Sequence, residues 1–186
     1  MDFETIQLEI LERKAVLTLN RPNSMNAMNY TMMRELADCF ESLHNEKDVH
    51  VLVIKGEGKV FSAGGDIKMM VSSGDFSDFG SIMGDITRLV RAYYTLPMIT
   101  IAQVHGASAG LGFIGIGLIP DGGGHFFMKE RVGTVKAKQM IWEGKVLNGE
   151  EALSLGLIDY NVPTGMAPAT VDQIVGKLLA SPIAAM

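Results

Sequence analysis

Val60-Phe61-Ser62-Ala63-Gly64-Gly65-Asp66-Ile67 runs from two apolar residues through four small ones to a carboxylate. It reads as a strand end, a tight turn and the start of a helix. Small side chains at 63–65 let ligand atoms reach the main chain, and a helix start leaves N–H groups without intrahelical partners. A second junction of this kind, His105-Gly106-Ala107-Ser108-Ala109-Gly110-Leu111-Gly112, follows the apolar stretch 98–104. Either turn alone reads as a tight connection. Two such donors converging on one carbonyl oxygen would form an oxyanion hole, where each is typically worth about 3 kcal/mol of transition-state stabilisation.

Upstream of the first turn, Ile6, Leu8 and Ile10 alternate with polar residues, and Ala15 to Leu19 is a second apolar run. The polar Glu12-Arg13-Lys14 between them predicts a hairpin. Arg21-Pro22-Asn23-Ser24 reads as a loop, and Asn29 as the N-cap of a helix to about residue 45, with Met32, Leu36, Phe40 and Leu43 on its apolar face. Val51 to Ile54 is a short buried strand. Downstream, a Ser/Gly/Asp stretch at 72–80 precedes a helix over about 81–95, which Pro97 ends before a strand from Met98 to Val104. A third glycine cluster lies between Gly115 and Gly124. Residues 125–143 read as helix broken near Gly133, 149–155 as a short helix stopped by Gly156, 157–159 as the start of a strand, and about 168–180 as a last helix. Strands alternate with helices, so the class is α/β.

The bulk properties set bounds. At 186 residues the chain suits one domain, 1–186, with a sizeable core. A net charge of −5 gives no reason to expect nucleic acid or an anionic membrane as partner. One cysteine, Cys39, allows no intrachain disulfide, and no metal-ligand spacing occurs. The acidic start Met1-Asp2-Phe3-Glu4 does not read as a leader, and no apolar run is long enough to span a bilayer, so a cytoplasmic location is expected. The 13 methionines read mainly as core filling.

The motifs together resemble the crotonase superfamily, the enoyl-CoA hydratase/isomerase family. The matching pieces are Leu19-Asn20-Arg21-Pro22 with Met25-Asn26-Ala27-Met28, then Phe61 to Ile67, and Val104-His105-Gly106 to Gly112. Gly117-Leu118-Ile119-Pro120-Asp121-Gly122-Gly123 follows, then Glu151-Ala152 to Gly156-Leu157-Ile158. The resemblance implies a ββα spiral fold, trimers commonly paired into hexamers, and an acyl-coenzyme A substrate with no further cofactor. It implies oxyanion donors at the backbone N–H groups of Gly65 and Leu111. Ser24, Met25, Ala27, Ala63, Gly64, Gly65, Asp66 and Ile67 would contact the coenzyme A moiety.

Two departures from the family pattern stand out. Family members pass through a helix and a further strand between the second glycine turn and Gly-Leu-Ile-Pro, whereas here Phe113 leads almost directly into Ile114-Gly115-Ile116-Gly117. About twenty residues have no place near 112–114, enough for a helix and a short strand. The C-terminal helices of the family also have no counterpart. The second departure concerns the paired glutamates of the family's hydratases. One position falls in the apparent gap, and the other aligns with Phe113, which cannot transfer a proton, or with the gap itself. Asp121 is then the candidate for proton transfer beside the thioester, against the plainer reading that Asp-Gly shapes a turn. Asp66 reads as a helix cap rather than a catalytic acid.

The expected reaction is isomerisation or hydration of an enoyl-CoA through an enolate, in fatty-acid or aromatic-acid catabolism. A degenerate member that binds acyl-CoA or a macromolecular partner is the alternative. Gly106-Ala107-Ser108-Ala109-Gly110 also fits the nucleophile-elbow pattern G-x-S-x-G. Only His125 follows Ser108, and Asp121, the one acid between them, stands four residues before it, too cramped for a hydrolase triad.

Overall fold

The computed structural model describes residues 2–66, 79–106, 109–110, 123–144 and 146–182. They fall into two compact units, one formed by 1–107 with 164–186 and the other by 108–163. Among the described residues the helices are α1 (Tyr30–Leu43), α2 (Phe79–Tyr94), α3 (Gly124–Val132), α4 (Thr134–Glu143), α5 (Gly149–Ser154) and α6 (Ala167–Ala180).

The first unit is built on a sheet of β1 (Ile6–Leu11), β2 (Lys14–Leu19), β3 (Val51–Gly56) and β4 (Ile99–Gln103), in that spatial order. The predicted hairpin forms: β1 and β2 pair antiparallel from Ile6↔Leu19 to Leu11↔Lys14, and Glu12 takes a positive φ in the turn. β2 then pairs parallel with β3, and β3 parallel with β4. Parallel neighbours need crossover connections, which is where α1 and α2 arise. Asn29 caps α1 as expected, its side chain accepting from Met32 N at 2.9 Å.

Helices cover both faces of this sheet, so β2 is apolar almost throughout instead of alternating. On one face Met32, Leu36, Cys39, Phe40 and Leu43 of α1 and Ala92 of α2 bury Ile6, Leu17, Leu19 and Leu52. On the other, Val171 and Val175 of α6 bury Val51 and Val53, flanked by Ile99 and Ile101.

In the second unit α3 and α4 meet at Gly133, whose φ of +79° suits glycine and breaks the predicted helix where expected. Asn148 and Glu151 form a reciprocal capping box at the start of α5. The strand expected at 157–159 does not form. Instead the chain closes α5: Gly156 N donates to Leu153 O and Leu157 N to Ala152 O, with Gly156 at positive φ. This Schellman closure satisfies carbonyls that α5 would otherwise leave open. Leu157 and Ile158 pack against the small core of Met128, Ala137, Met140, Leu147 and Ala152. A two-residue strand not expected from the sequence, β6 (Val146–Leu147), pairs antiparallel with β5 (Ala109–Gly110). The 72–78 part of the Ser/Gly/Asp stretch lies outside the described residues.

Candidate functional site

The chain leaves β2 at Leu19 and makes a loop whose centre is Asn26. This residue is fully buried, at φ +52°, a conformation asparagine tolerates better than most side chains. Its amide is saturated: Oδ1 accepts from Arg21 N, and Nδ2 donates to Glu57 O and Val60 O, each at 2.9 Å. Asn26 thereby ties the loop to the segment leading into the first glycine turn.

The turn itself is laid against the loop by a run of bonds. Ser62 Oγ donates to Asn26 O and accepts from Gly64 N. Ala63 N donates to Met25 O at 2.9 Å, Met28 N to Gly64 O at 2.8 Å, and Asp66 N to Met28 O at 3.0 Å. Met28 and Gly65 form an isolated parallel bridge. The bridge uses the carbonyl before Gly65 and the N–H after it. The Gly65 N–H makes no hydrogen bond among the described residues. Gly65 is exposed, and a Cβ built on it meets no described atom within 4 Å. Among the described residues this main-chain N–H is thus left unbonded on an exposed turn whose neighbours are fixed.

Ser24, Met25, Ala27, Ala63, Gly64, Gly65 and Asp66 therefore come together along one paired loop and turn. Met25 is 58% exposed beside it. Leu111, Asp121, Ile67 and Ser108 lie outside the described residues. Asp66 pairs with the Arg21 guanidinium at 3.2 Å, both side chains largely buried, and the same Arg21 nitrogen donates to Ala27 O. Arg21 belongs to the motif Leu19-Asn20-Arg21-Pro22, but the sequence assigns it no role of its own.

The second glycine turn begins against the same region. Phe61 N donates to His105 O, and His105 Nε2 lies 3.0 Å from Gly58 O. Gly106 sits at φ +58°, and a Cβ there would overlap the Lys59 carbonyl oxygen. Glycine is required at this close approach.

Other chemistry is lacking among the described residues. Cys39 is buried, and that burial pushes its thiol up to about 12, so it stays protonated and inert near neutral pH. No group of three or more His, Cys, Asp or Glu could hold a metal ion. An open groove of about 580 Å³ between α1 and α2 is lined by Glu41, His44, Arg88 and Arg91. Its Arg88 is bound by Asp38 and Glu41, so the charge there is largely balanced internally.

Fold and site together define an α/β protein with an exposed glycine turn bridged to the loop that precedes α1. The profile of the enoyl-CoA hydratase/isomerase family matches residues 10–114 and 109–186, and the chain belongs to that family. It is 39% identical over 193 residues to YhaR of Bacillus subtilis (strain 168), which carries an enoyl-CoA hydratase/isomerase name, with 92% of this chain and 75% of YhaR covered. It is 31% identical over 204 residues to the trans-2-decenoyl-[acyl-carrier-protein] isomerase of Streptococcus mutans, covering 96% of this chain and 76% of that protein. Among solved structures, an enoyl-CoA hydratase from Mycobacterium avium subsp. paratuberculosis K-10 is similar with a TM-score of 0.87 and 28% identity, covering 99% of this chain and 78% of that one. The expected crotonase fold is thereby borne out. Because 92% of 186 residues is about 171, some 22 of the 193 positions aligned with YhaR have no residue of this chain opposite them; the same subtraction for the isomerase (96%, about 179, of 204) leaves about 25. The family profile breaks into its two matches at 109–114.

Proposed function

We propose that this chain binds an acyl-CoA thioester and stabilises its enolate with the Gly65 N–H as one oxyanion donor and the Leu111 N–H as the other. The observation that carries this reading is the Gly65 N–H, which lies on an exposed turn and makes no hydrogen bond among the described residues. Its neighbours are fixed by the Met28 bridge, so it needs no reorganisation when charge develops on an oxygen placed there. The loop 24–27 and turn 63–67 would hold the coenzyme A moiety, and no other cofactor is needed. Asp121 would take and return the proton, giving isomerisation or hydration of an enoyl-CoA in fatty-acid or aromatic-acid breakdown. A homotrimer or homohexamer in the cytoplasm completes the reading; no helix of the described residues is long and apolar enough to cross a membrane.

A structure with an unreactive acyl-CoA analogue tests the donor. The thioester oxygen is expected about 3 Å from Gly65 N; an oxygen bound elsewhere overturns the assignment. Loss of enoyl-CoA turnover in Asp121→Asn, with analogue binding retained, is expected for the proton-transfer role.

One observation favours a second reading. About 22 to 25 aligned positions of the relatives have no counterpart, and the family profile breaks at 109–114, beside Leu111. A chain without that segment would keep the Gly65 donor yet lack the body of the element that aims the second. It would bind acyl-CoA without transforming it. Tight binding with no enoyl-CoA turnover would select this reading.

A further inference from the structure

Two peptide groups connect the Arg21 guanidinium to the Gly65 N–H in series. Arg21 Nη1 donates to Ala27 O. The peptide carrying that carbonyl carries the Met28 N–H on its opposite side, because a trans peptide is planar and points its O and H apart. Met28 N donates to Gly64 O at 2.8 Å. The Gly64 carbonyl in turn shares its peptide with the Gly65 N–H, which must point away from Met28 and makes no hydrogen bond among the described residues. Asp66 holds the same Arg21 nitrogen at 3.2 Å, and only about a fifth of each side chain is exposed, at 21% and 17%. Little solvent is therefore present to screen the charge.

We infer that Arg21 is a positioning residue for the oxyanion donor, acting through the Ala27–Met28 and Gly64–Gly65 peptides to orient and polarise the Gly65 N–H. This rests on the reading of Gly65 as a donor to the thioester. Hydrogen bonds in series strengthen one another by roughly 10–30% each, and the first donor here is an ionised guanidinium whose counter-charge is Asp66. The arrangement also restricts geometry. Pulling on Ala27 O fixes the tilt of the Met28 N–H, which fixes Gly64 O and so the direction of the last N–H.

The test is the infrared carbonyl stretch of butyryl-CoA, carrying ¹³C at the thioester carbon, bound to the full chain. Wild type is expected to lower that stretch relative to free ligand; no lowering overturns the donor reading itself. Given a wild-type shift, Arg21→Met is expected to lose at least about a third of it, with kcat for enoyl-CoA, where turnover is measured, falling about fivefold. KM should change much less, a split that general loosening of the loop would not give. Arg21→Lys, which restores a cation, should recover at least about half of the lost shift. A full wild-type shift in Arg21→Met, or Arg21→Lys no better than Arg21→Met, overturns the inference while leaving the donor reading standing. If Arg21→Met does not fold, Arg21→Gln keeps an amide donor without the charge; there a full shift overturns the inference and a reduced one supports it.

Discussion

Asn26 shows how much one buried amide can hold. Its three hydrogen bonds satisfy one N–H and two carbonyls drawn from Arg21, Glu57 and Val60. Asn26→Ala leaves those groups unpaired and puts a Cβ-bearing residue without a polar side chain at positive φ. A loss of about 3 kcal/mol is expected by denaturant titration. Gly106→Ala is expected to be as damaging for a steric reason, since its methyl meets the Lys59 carbonyl. Gly65→Ala should behave in the opposite way. A Cβ there meets no described atom within 4 Å and its φ is not positive, so thermal stability should be near wild type, while on the proposed reading the methyl intrudes on ligand and raises KM or Kd. The small residues at 62–65 were legible in the sequence because their meaning is local: they permit close approach. The roles of Asn26 and Arg21 were not legible, because Asn26 depends on the Val60 carbonyl 34 positions away and Arg21 on the Asp66 carboxylate 45 positions away.

At the scale of elements, α1 is tied to the start of β1 by one carboxylate. Glu35 accepts from Glu4 N at 2.6 Å, from Thr5 N at 2.8 Å and from Thr5 Oγ1. Burial alone would raise its affinity for a proton, but these donors outweigh it and hold the carboxyl below the ordinary glutamate range. A depressed folded value means the stabilisation is present above the unfolded value and lost as pH falls through the folded one. Glu35→Gln should therefore cost about 1–2 kcal/mol at pH 7, and its difference from wild type should shrink as pH falls below the ordinary glutamate range. The surface pairs between α1 and α2 count for less. Arg88→Met should shift Tm far less than Phe40→Ala, which opens the core and is expected to cost about 3–5 kcal/mol. The helices and long strands were read correctly from periodicity. The two-residue β6 and the closure at 157–159 were not, because short apolar runs have no period, and Gly156 decides whether the chain extends or turns back.

For the whole molecule, the first unit is discontinuous in sequence: its last helix returns after the second unit has been made. Val171 and Val175 then pack against strand residues Val51 and Val53. Val175→Asp would bury a charge beside Val51 and Val53, so loss of cooperative unfolding in calorimetry is expected rather than a small Tm shift. The family fold was legible because its glycine turns recur in order along the chain.

The donor proposed at Gly65 belongs to the main chain, and this bears on inheritance. No exchange of one side chain for another deletes an amide hydrogen; only proline does, so Gly65→Pro is the single direct knockout. A carboxylate that moves protons can vanish in one codon change. Lineages built on this scaffold would thus shed their chemistry sooner than their grip on the thioester, and descendants that only hold acyl-CoA should be a recurring outcome.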